Sequence, residues 1–587
     1  MTVPTRPTGE AGDPMAEVRQ DAADIASSMR SLCGFDGAMA ELDPAGLGQA
    51  LGKLAMSVAG NPAALSRSAM EYGMRSAQAA VTAALRSIGL DQQGPVQPET
   101  DRRFSDPAWT SNPLFYLVRQ QYALWEAFLQ DLLAEAKLDD ATRLKAEFAL
   151  RQLVDAVAPT NWLLTNPVAL KKAFDTAGLS LVRGASNALR DLATNKGMPR
   201  QITPGQFRPG HELAATPGSV VFRNRLIELI QYQPQTGTVH AVPLLFSPPW
   251  INKYYIMDLA PGKSLVEWAV QHGHTCFMIS YRNPDDALGE LSMSDYLREG
   301  LLAALEVVEE ITGAPQTNVA GLCLGGTMAA ALAAWLTARG EQDRVASLTL
   351  MNTLLDFTLP GQLGVFTDET AIQRLEATMA RKGYLPADNM ATTFNLLRAR
   401  DLVWNYVVNN WLLGEDPAPF DMLSWNADST RMPAAMQTEY LRSLYLENRL
   451  AKGELKLAGE LLQLSRISQD SYFISAEKDH IALWKAVYAG AKLMGGTIRF
   501  MLSNSGHIAG VVNPPNPKSK HWVGSAETLP DDPEAWRAKA KEVAKSWWLD
   551  WTPWIAKRAG EQRTPPATGS AMHPPLESAP GSYVLQD

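Results

Sequence analysis

A glycine-rich turn that carries a cysteine most constrains how this chain can fold. The motif GLCLGG, residues 321–326, lies between a strand-like run (317–320) and a helix-like run (327–337). In a G-x-nucleophile-x-G arrangement, a strained strand-to-helix turn presents the central side chain at the top of a sheet, and small glycines allow close backbone approach. The motif therefore predicts a nucleophile elbow at Cys323, with the Leu324 N–H placed to donate to a developing oxyanion.

The apolar stretch around this turn allows a second interpretation. Residues 311–338 carry no charge, and by length alone they could form a transmembrane helix. Pro315, Asn318 and several glycines interrupt the stretch. We therefore favour a strand, a sharp turn and a buried helix over a membrane span.

Strand-like runs alternate with helical segments along much of the chain. This alternation is typical of a doubly wound α/β sheet. The runs that we assign to strands lie at 218–232, 241–246, 275–280, 347–351, 471–475 and 498–502.

A carboxylate and a histidine follow the last two of these strands. Asp479 lies just beyond the strand-like run 471–475, and His507 just beyond 498–502. Sheets of this kind place ligands at the carboxyl ends of their strands, and the order nucleophile, acid, base is the one found with a nucleophile elbow. We therefore predict a triad of Cys323, Asp479 and His507. His480 is either a neighbouring site residue, which would then contact the substrate or its CoA part, or a solvated loop residue.

The loop after an earlier strand should supply a second oxyanion donor. That loop spans residues 247–253, and Pro248 and Pro249 in it lack an N–H. The donor is therefore the backbone of Trp250 or of Ile251, if this loop supplies one.

The chain divides into six segments on composition and pattern. We expect a poorly ordered or loosely helical region at 1–100, a helical domain for packing or dimer formation at 101–203, the first part of the α/β core at 204–355, an insertion at 356–464, the second part of the core at 465–561, and a flexible tail at 562–587. The insertion is rich in Trp, Tyr and Asn, which favours a cap over an active site, with an interaction surface as the alternative.

Charge and cysteine content exclude several classes of protein. The 587 residues include 53 basic and 62 acidic ones, a net charge of -9, without the Lys/Arg runs that nucleic-acid binding by phosphate neutralisation needs. The three cysteines form no disulfide framework and no zinc-ligand spacing, so we expect no metal and a reducing, cytoplasmic setting. No signal peptide is recognised at the N-terminus.

Several longer motifs together resemble the polyhydroxyalkanoate synthases, most of all the class I enzymes. They extend from about residue 101 to about 555 and include GLCLGGT, SPPWINKYYIMDL, RDLVWNYVVNN, FDMLSWNADST, AEKDHIALW and SGHIAGVVNPP. The resemblance implies an α/β-hydrolase core with an inserted cap, preceded by a helical N-terminal domain.

The same resemblance implies an acyltransferase that polymerises (R)-3-hydroxyacyl-CoA into polyester and releases CoA through a thioester on Cys323. His507 would be the base and Asp479 the third member, acting on His507 or directly on the substrate hydroxyl. The coenzyme A thioester is the substrate and no further cofactor is implied. Arg398 is suggested as a contact for the CoA phosphates, against the alternative of a surface helix charge. The family also implies a homodimer at the surface of a cytoplasmic polyester granule.

Two rival functions stay open at this point. A thioesterase or polyester hydrolase would use the same triad with water as the acceptor, although hydrolases of this fold mostly carry serine. A non-enzymatic granule-coat protein would not need the triad at all.

Overall fold

A computed structural model describes residues 43–90, 92–97, 101–526 and 529–586. These residues divide into two compact units. A helical unit contains the chain up to Gln201 together with Phe394–Pro417, and an α/β unit contains Ile202–Thr393 and the chain from Ala418 onward. Of the region 1–100, residues 1–42, 91 and 98–100 lie outside the described part of the chain, whereas the rest includes two long helices.

Asx–Pro pairs begin four helices of the helical unit. Its helices are α1 (Pro44–Ala59), α2 (Pro62–Ser87), α3 (Ala108–Ser111), α4 (Pro113–Glu135), α5 (Asp140–Ala156), α6 (Pro167–Asp175) and α7 (Leu179–Thr194). Before α4 the Asn112 side chain accepts the N–H of Leu114, and before α6 the Asn166 side chain accepts that of Val168. An Asx side chain satisfies a free N–H at a helix start, and proline at the next position loses no hydrogen bond there.

Apolar residues at 118, 122, 125, 129 and 132 recur at alternating spacings of four and three, which predicts a helix after Asn112 with one apolar face. Tyr122 of α4 is buried in a cluster with Phe104 and Trp109, and Val118, Trp125 and Leu129 pack against this cluster. The four-and-three spacing of the apolar residues therefore marked the buried side of the helix.

Part of the expected cap insertion belongs to the helical unit instead. We expected residues 356–464 to form one insertion, but Phe394–Pro417 packs with the N-terminal helices. Arg400 Nε donates to Asp155 at 3.0 Å, and Trp411 Nε1 donates to the fully buried Asp191 at 2.8 Å. These long-range polar contacts have no local sequence signal, which is why the pattern analysis did not find them.

The α/β unit is built on an eleven-stranded sheet. Its strands are β1 (Gly218–Arg223), β2 (Ile227–Tyr232), β3 (Leu244–Ser247), β4 (Cys276–Tyr281), β5 (Thr317–Leu322), β6 (Val345–Met351), β7 (Ser471–Ala476), β8 (Ile498–Ser503), β9 (His521–Ala526), β10 (Lys541–Val543) and β11 (Glu577–Ser578). The order across the sheet is β11-β1-β2-β4-β3-β5-β6-β7-β8-β9-β10. Strands β3 to β8 run parallel, and antiparallel strands flank them on both sides.

The connections of the α/β unit are mostly helical. They are α8 (Leu265–Gln271), α9 (Met293–Asp295), α10 (Ala303–Thr312), α11 (Leu324–Ala338), α12 (Glu369–Lys382), α13 (Ala387–Leu397), whose last residues enter the helical unit, α14 (Asp421–Ala427), α15 (Ala434–Tyr440), α16 (Arg449–Lys452), α17 (Trp484–Ala491), α18 (Ala509–Val512), α19 (Pro533–Lys539) and α20 (Trp548–Ala556). The expected doubly wound α/β sheet with a preceding helical region is thus confirmed.

The uncharged stretch 311–338 is a strand, a turn and a buried helix, as expected. It includes the end of α10, all of β5 and all of α11, whose residues 324–336 are buried. In the described part of the chain, no helix is both long and apolar enough to span a membrane.

The segment expected to be a flexible tail is built into the sheet. Ser578 of β11 pairs with Ser219 of β1, and the Ala579 N–H donates to the Gly218 carbonyl at 2.9 Å. The fully buried Glu228 of β2 accepts the N–H groups of Ser582 and Tyr583. A composition rich in Pro, Ser and Gly indicated mobility, but edge-strand pairing and one buried carboxylate order these residues.

A buried histidine before β4 makes the stability of the folded protein depend on pH at acidic values. His274 is 1% exposed, and neither of its ring nitrogens has a hydrogen-bond partner among the described residues. Burial, together with the nearby His240 and His272, lowers the pKa of His274 to about 3. The folded protein therefore resists protonation of a ring that the unfolded chain protonates below a pKa of about 6.5. Stability should fall as the pH drops from about 6.5 towards 3.

We expect His274→Phe to make the acid side of the stability curve shallower, because phenylalanine carries no titrating group. The urea midpoint of unfolding should be measured between about pH 4 and 8. His211→Phe, at an exposed histidine, is the control and should keep the wild-type slope. Equal slopes for His274→Phe and wild type would contradict the assignment.

Candidate active site

Cys323 occupies a strained turn between β5 and α11. Its backbone has φ 52° and ψ -121°, a conformation that a residue with a Cβ rarely adopts. The Cys323 N–H donates to the Met351 carbonyl at the end of β6 at 2.8 Å, and the Cys323 side chain is partly exposed. Such strain persists only where the surrounding structure holds it. The predicted nucleophile elbow has this geometry.

The glycines of the turn are required by close backbone contacts. A Cβ at Gly325 would lie 2.0 Å from the Ser247 carbonyl oxygen, and one at Gly326 would lie 1.9 Å from Thr353 Oγ1. A Cβ at Gly321 would lie 2.5 Å from the Gly326 Cα. At Gly321 and Gly325 the close atoms belong to the backbone, and at Gly326 they belong to the Thr353 side chain. A larger residue at any of the three positions would therefore require its neighbours to shift.

The predicted acid and base meet beside the cysteine. His507 Nδ1 donates to Asp479 Oδ2 at 2.6 Å, and both side chains are buried. The other carboxylate oxygen of Asp479 accepts the N–H groups of Ile481 at 2.8 Å and Ala482 at 2.9 Å. The carboxylate is therefore held by its own loop, and it orients the imidazole.

The electrostatic environment favours the protonated form of His507. Burial alone lowers the pKa of His507, but the Asp479 carboxylate and hydrogen bonds to Asp479 and Cys323 raise it to about 10. The thiol, the imidazole and the carboxylate thus form one connected series. This series can hold a thiolate next to an imidazolium, which is the nucleophilic form of a cysteine.

Asn352 was missed by the sequence analysis. It follows β6 directly, adopts φ 44°, and donates from Nδ2 to the His507 carbonyl oxygen. Because the preceding carbonyl, that of Met351, accepts the Cys323 N–H, this dipeptide contacts the backbones of both Cys323 and His507. The sequence around it, MNT, matches no motif that could have marked it.

The residues predicted as oxyanion donors have free backbone N–H groups. Among the described residues, no hydrogen bond is found from the N–H of Leu324, Trp250 or Ile251. The side chains of Leu324 and Trp250 line one small apolar cavity, which places the two segments side by side. Both segments therefore have N–H groups available for donation at this end of the sheet.

Two buried tyrosines of the insertion lie near the cysteine. Burial raises the pKa of both Tyr440 and Tyr445, and the charge of the nearby Cys323 raises both pKa values further. Tyr445 also contributes to the raised pKa of Tyr440. Tyr440 Oη donates to Tyr445 Oη at 3.5 Å, and Phe357 packs edge-on against the Tyr445 ring. The sequence marked both tyrosines only as part of an aromatic-rich insertion, not as neighbours of Cys323.

The two suggested CoA contacts lie in different units. His480 is half-buried next to Asp479, and its carbonyl accepts the Gln362 N–H at 3.0 Å. Arg398 is exposed in the helical unit, where it pairs with Asp401. In the part of the chain that the structure describes, no group of His, Cys, Asp and Glu side chains is arranged to hold a metal ion.

We expect Gly325→Ala to disrupt the cysteine turn, because its new methyl group would meet backbone atoms of the loop after β3. A backbone clash of this kind costs on the order of 1–3 kcal/mol or more of stability. Thermal unfolding and the rate of Cys323 alkylation by iodoacetamide should both report it. Gly73→Ala is the matched control, since a Cβ there meets nothing within 4 Å and should leave both values near wild type. A stable Gly325→Ala variant with unchanged alkylation would refute the packing argument.

Comparisons with known proteins show the family of the chain. A family model described as "Poly-beta-hydroxybutyrate polymerase (PhaC) N-terminus" matches residues 100–269, and one described as "alpha/beta hydrolase fold" matches residues 245–514. The chain is 44% identical over 488 residues to the poly(3-hydroxyalkanoate) polymerase subunit PhaC of Rhizobium meliloti, covering 82% of this chain and 79% of that one. It is 43% identical to the poly(3-hydroxyalkanoate) polymerase of Methylorubrum extorquens, covering 83% and 81% of the two chains. It is also 43% identical to the PhaC subunit of Cupriavidus necator, covering 83% of each chain. With this similarity over most of its length, the chain belongs to the poly(3-hydroxyalkanoate) polymerase family, as its motifs predicted.

Proposed function

We propose that the protein polymerises (R)-3-hydroxyacyl-CoA into polyhydroxyalkanoate through a thioester on Cys323. One observation carries the proposal: a cysteine on a strained elbow is connected to a buried His507–Asp479 pair at the same end of the parallel strands. The relatives named as polymerases support transfer to another hydroxyacyl unit rather than to water.

The first step exchanges one thioester for another. The Cys323 thiolate attacks the carbonyl carbon of the acyl-CoA, and the C–S bond to CoA breaks. His507 gives its proton to the departing CoA thiolate, so that free CoA leaves and the acyl group stays on Cys323. The backbone N–H groups of Leu324 and of Trp250 or Ile251 stabilise the oxyanion of the tetrahedral intermediate.

A cysteine suits this chemistry better than a serine. Exchange between two thioesters is nearly balanced in free energy, so the acyl group remains activated on the enzyme. A serine would form an oxygen ester, which would lie at a lower free energy and weaken transfer to the next hydroxyl.

The second step forms the ester bond of the polymer. The hydroxyl oxygen of a second hydroxyacyl unit attacks the acyl carbon on Cys323, and its proton passes to His507 or directly to Asp479. The Cys323 thiolate is then released. Once Cys323 is acylated, its charge and its hydrogen bond no longer raise the pKa of His507, so the imidazole is more readily neutral and available to accept a proton at this step.

Water has to be kept from the acyl-enzyme during this cycle. The buried Tyr440 and Tyr445 and the packed Phe357 support the insertion as the barrier over Cys323. His480 beside the triad and Arg398 in the helical unit are the proposed contacts for the CoA part of the substrate.

The protein is further proposed to be a homodimer at the surface of a cytoplasmic polyester granule. The helix α7 supports binding to an apolar surface, because it buries polar residues and exposes apolar ones. The buried face of α7 carries Ser180, Gly184, Asn187 and Asp191, whereas leucines and a valine are exposed. These exposed residues are Leu179, Val182, Leu189 and Leu192, each more than half exposed.

The nucleophile can be tested with purified protein and (R)-3-hydroxybutyryl-CoA. We expect release of free CoA together with high-mass polyester, and loss of both in Cys323→Ala because no thioester can form. Thiol release and product size are the measurements. Cys276→Ala, at a buried cysteine of β4, is the control and should retain polymerisation. Release of CoA with only free 3-hydroxybutyrate would favour a thioesterase, and full activity of Cys323→Ala would refute the mechanism.

The charge of Asp479 can be tested through thiol reactivity. We expect Asp479→Asn to slow alkylation of Cys323 by iodoacetamide at pH 7 by roughly 10- to 100-fold, because the imidazolium that stabilises the thiolate loses its main counter-charge. The difference should shrink as the pH rises, since any thiol then ionises. The exposed Asp531→Asn is the control. Identical pH profiles for Asp479→Asn and wild type would argue against a coupled thiolate–imidazolium pair.

A further inference from the structure

The loop proposed to supply the second oxyanion donor is bonded on both sides of Ile251 to one hydroxyl. Thr430 Oγ1 donates to the Trp250 carbonyl at 2.8 Å and accepts the Asn252 N–H at 2.9 Å. The first bond restrains the peptide group that carries the Ile251 N–H, and the second restrains the next peptide group. Asn252 itself has a positive φ of 62°.

The next residue of the loop, Lys253, is a buried cation with three acceptors. Its Nζ donates to the carbonyl oxygens of Val584 at 2.8 Å and Gln586 at 2.6 Å, and pairs with Asp428 at 3.0 Å. The side chain is 6% exposed. An ammonium has three N–H donors, so all of them are used, as a buried charge requires.

The segment whose carbonyl groups accept hydrogen bonds from Lys253 is itself bonded to β2. The fully buried Glu228 accepts the Ser582 N–H at 3.1 Å, the Ser582 hydroxyl at 2.9 Å and the Tyr583 N–H at 3.0 Å. The strap, residues 582–586, is thus tied to β2 at one end and to the loop after β3 at the other.

The backbone of Lys253 is also restrained on its other side. The Trp425 indole Nε1 donates to the Lys253 carbonyl at 2.8 Å, and Tyr255 Oη donates to Asp428 at 2.8 Å. The loop is therefore fixed between the 425–430 segment and the strap. Displacement of the strap would leave the buried Lys253 ammonium with Asp428 as its one remaining acceptor of the three, and would pull on the loop two residues from Ile251.

We propose that Lys253 and the strap, residues 582–586, position the loop N–H groups of Trp250 and Ile251 for oxyanion stabilisation. The inference rests on the proposed function, because it assigns these N–H groups to the acyl-transfer step. Lys253 is then a positioning residue: it touches no reacting atom, and it acts through the loop. Donor placement matters because an oxyanion donor contributes to the rate only near hydrogen-bond distance of the developing charge.

The test compares Lys253→Met with wild type in three measurements. These are the kcat and KM for CoA release from (R)-3-hydroxybutyryl-CoA, the rate of Cys323 alkylation by iodoacetamide, and the thermal unfolding midpoint. We expect kcat to fall about 10- to 100-fold with KM changed by less than about threefold, since one misplaced oxyanion donor has this order of effect. The alkylation of Cys323 forms no oxyanion intermediate, so its rate should stay at the wild-type value. Lys253→Arg should give an intermediate kcat, because it keeps the charge with a different shape.

A control and a truncation make the test specific. Lys263→Met removes a half-exposed lysine that pairs with Asp421, and it should retain the wild-type kcat. Deleting residues 584–587 should lower kcat as Lys253→Met does, and combining the two changes should cost little more than either alone. This truncation also provides the comparison if Lys253→Met fails to fold.

Two outcomes would overturn the inference. The first is an unchanged kcat in folded Lys253→Met. The second is a fall of both kcat and the alkylation rate in proportion to the loss of folded protein, because a purely structural role of Lys253 predicts that result. Failure of the proposed function is seen separately. If wild type releases CoA without making polymer, the acceptor assignment is wrong, but CoA release still reports on the oxyanion and on Lys253.

Discussion

The hydrogen bond from the Cys323 N–H to the Met351 carbonyl is the contact on which the site depends. It joins the first residue after β5 to the last residue of β6, and so holds the strained cysteine turn against the neighbouring strand. Asn352 continues from the same point and donates to the His507 backbone. One dipeptide therefore sets the spacing between the thiol and the imidazole. The glycines on the other side of the turn only make room for that arrangement.

The chemistry of the site follows from what lies around the imidazole. A buried histidine would ordinarily lose its proton, yet the Asp479 carboxylate and Cys323 reverse that tendency in His507. His274 shows the opposite case in the same unit, because its buried ring has no hydrogen-bond partner among the described residues and its pKa is lowered. Burial is similar for the two rings, and the neighbouring charges decide their protonation.

Sequence patterns predicted those features that depend on local spacing. The central strands, the helix after Asn112, the elbow at Cys323 and the positions of Asp479 and His507 beyond their strands could all be inferred from short segments. Features that depend on partners distant in the chain could not. Asn352 matches no motif, and the motifs that contain Thr430 and Lys253 do not indicate what these side chains contact. The placement of Phe394–Pro417 with the N-terminal helices depends on long-range contacts such as that of Trp411 with Asp191. The segment after residue 562 was misjudged for the same reason, since its partners Ser219 and Glu228 lie far upstream.

The pairing of Glu228 with Ser582 spans 354 residues, and this separation has a consequence for how the protein is made. Because synthesis runs from the N-terminus, β2 leaves the ribosome long before its partner segment exists. Until residues 577–586 emerge, Glu228 lacks the donors of Ser582 and Tyr583, Lys253 keeps only Asp428 of its three acceptors, and the edge of β1 lacks β11. The α/β unit can therefore reach its final form only after these residues have been translated. A nascent chain that stops before them would carry Cys323 on an incomplete scaffold.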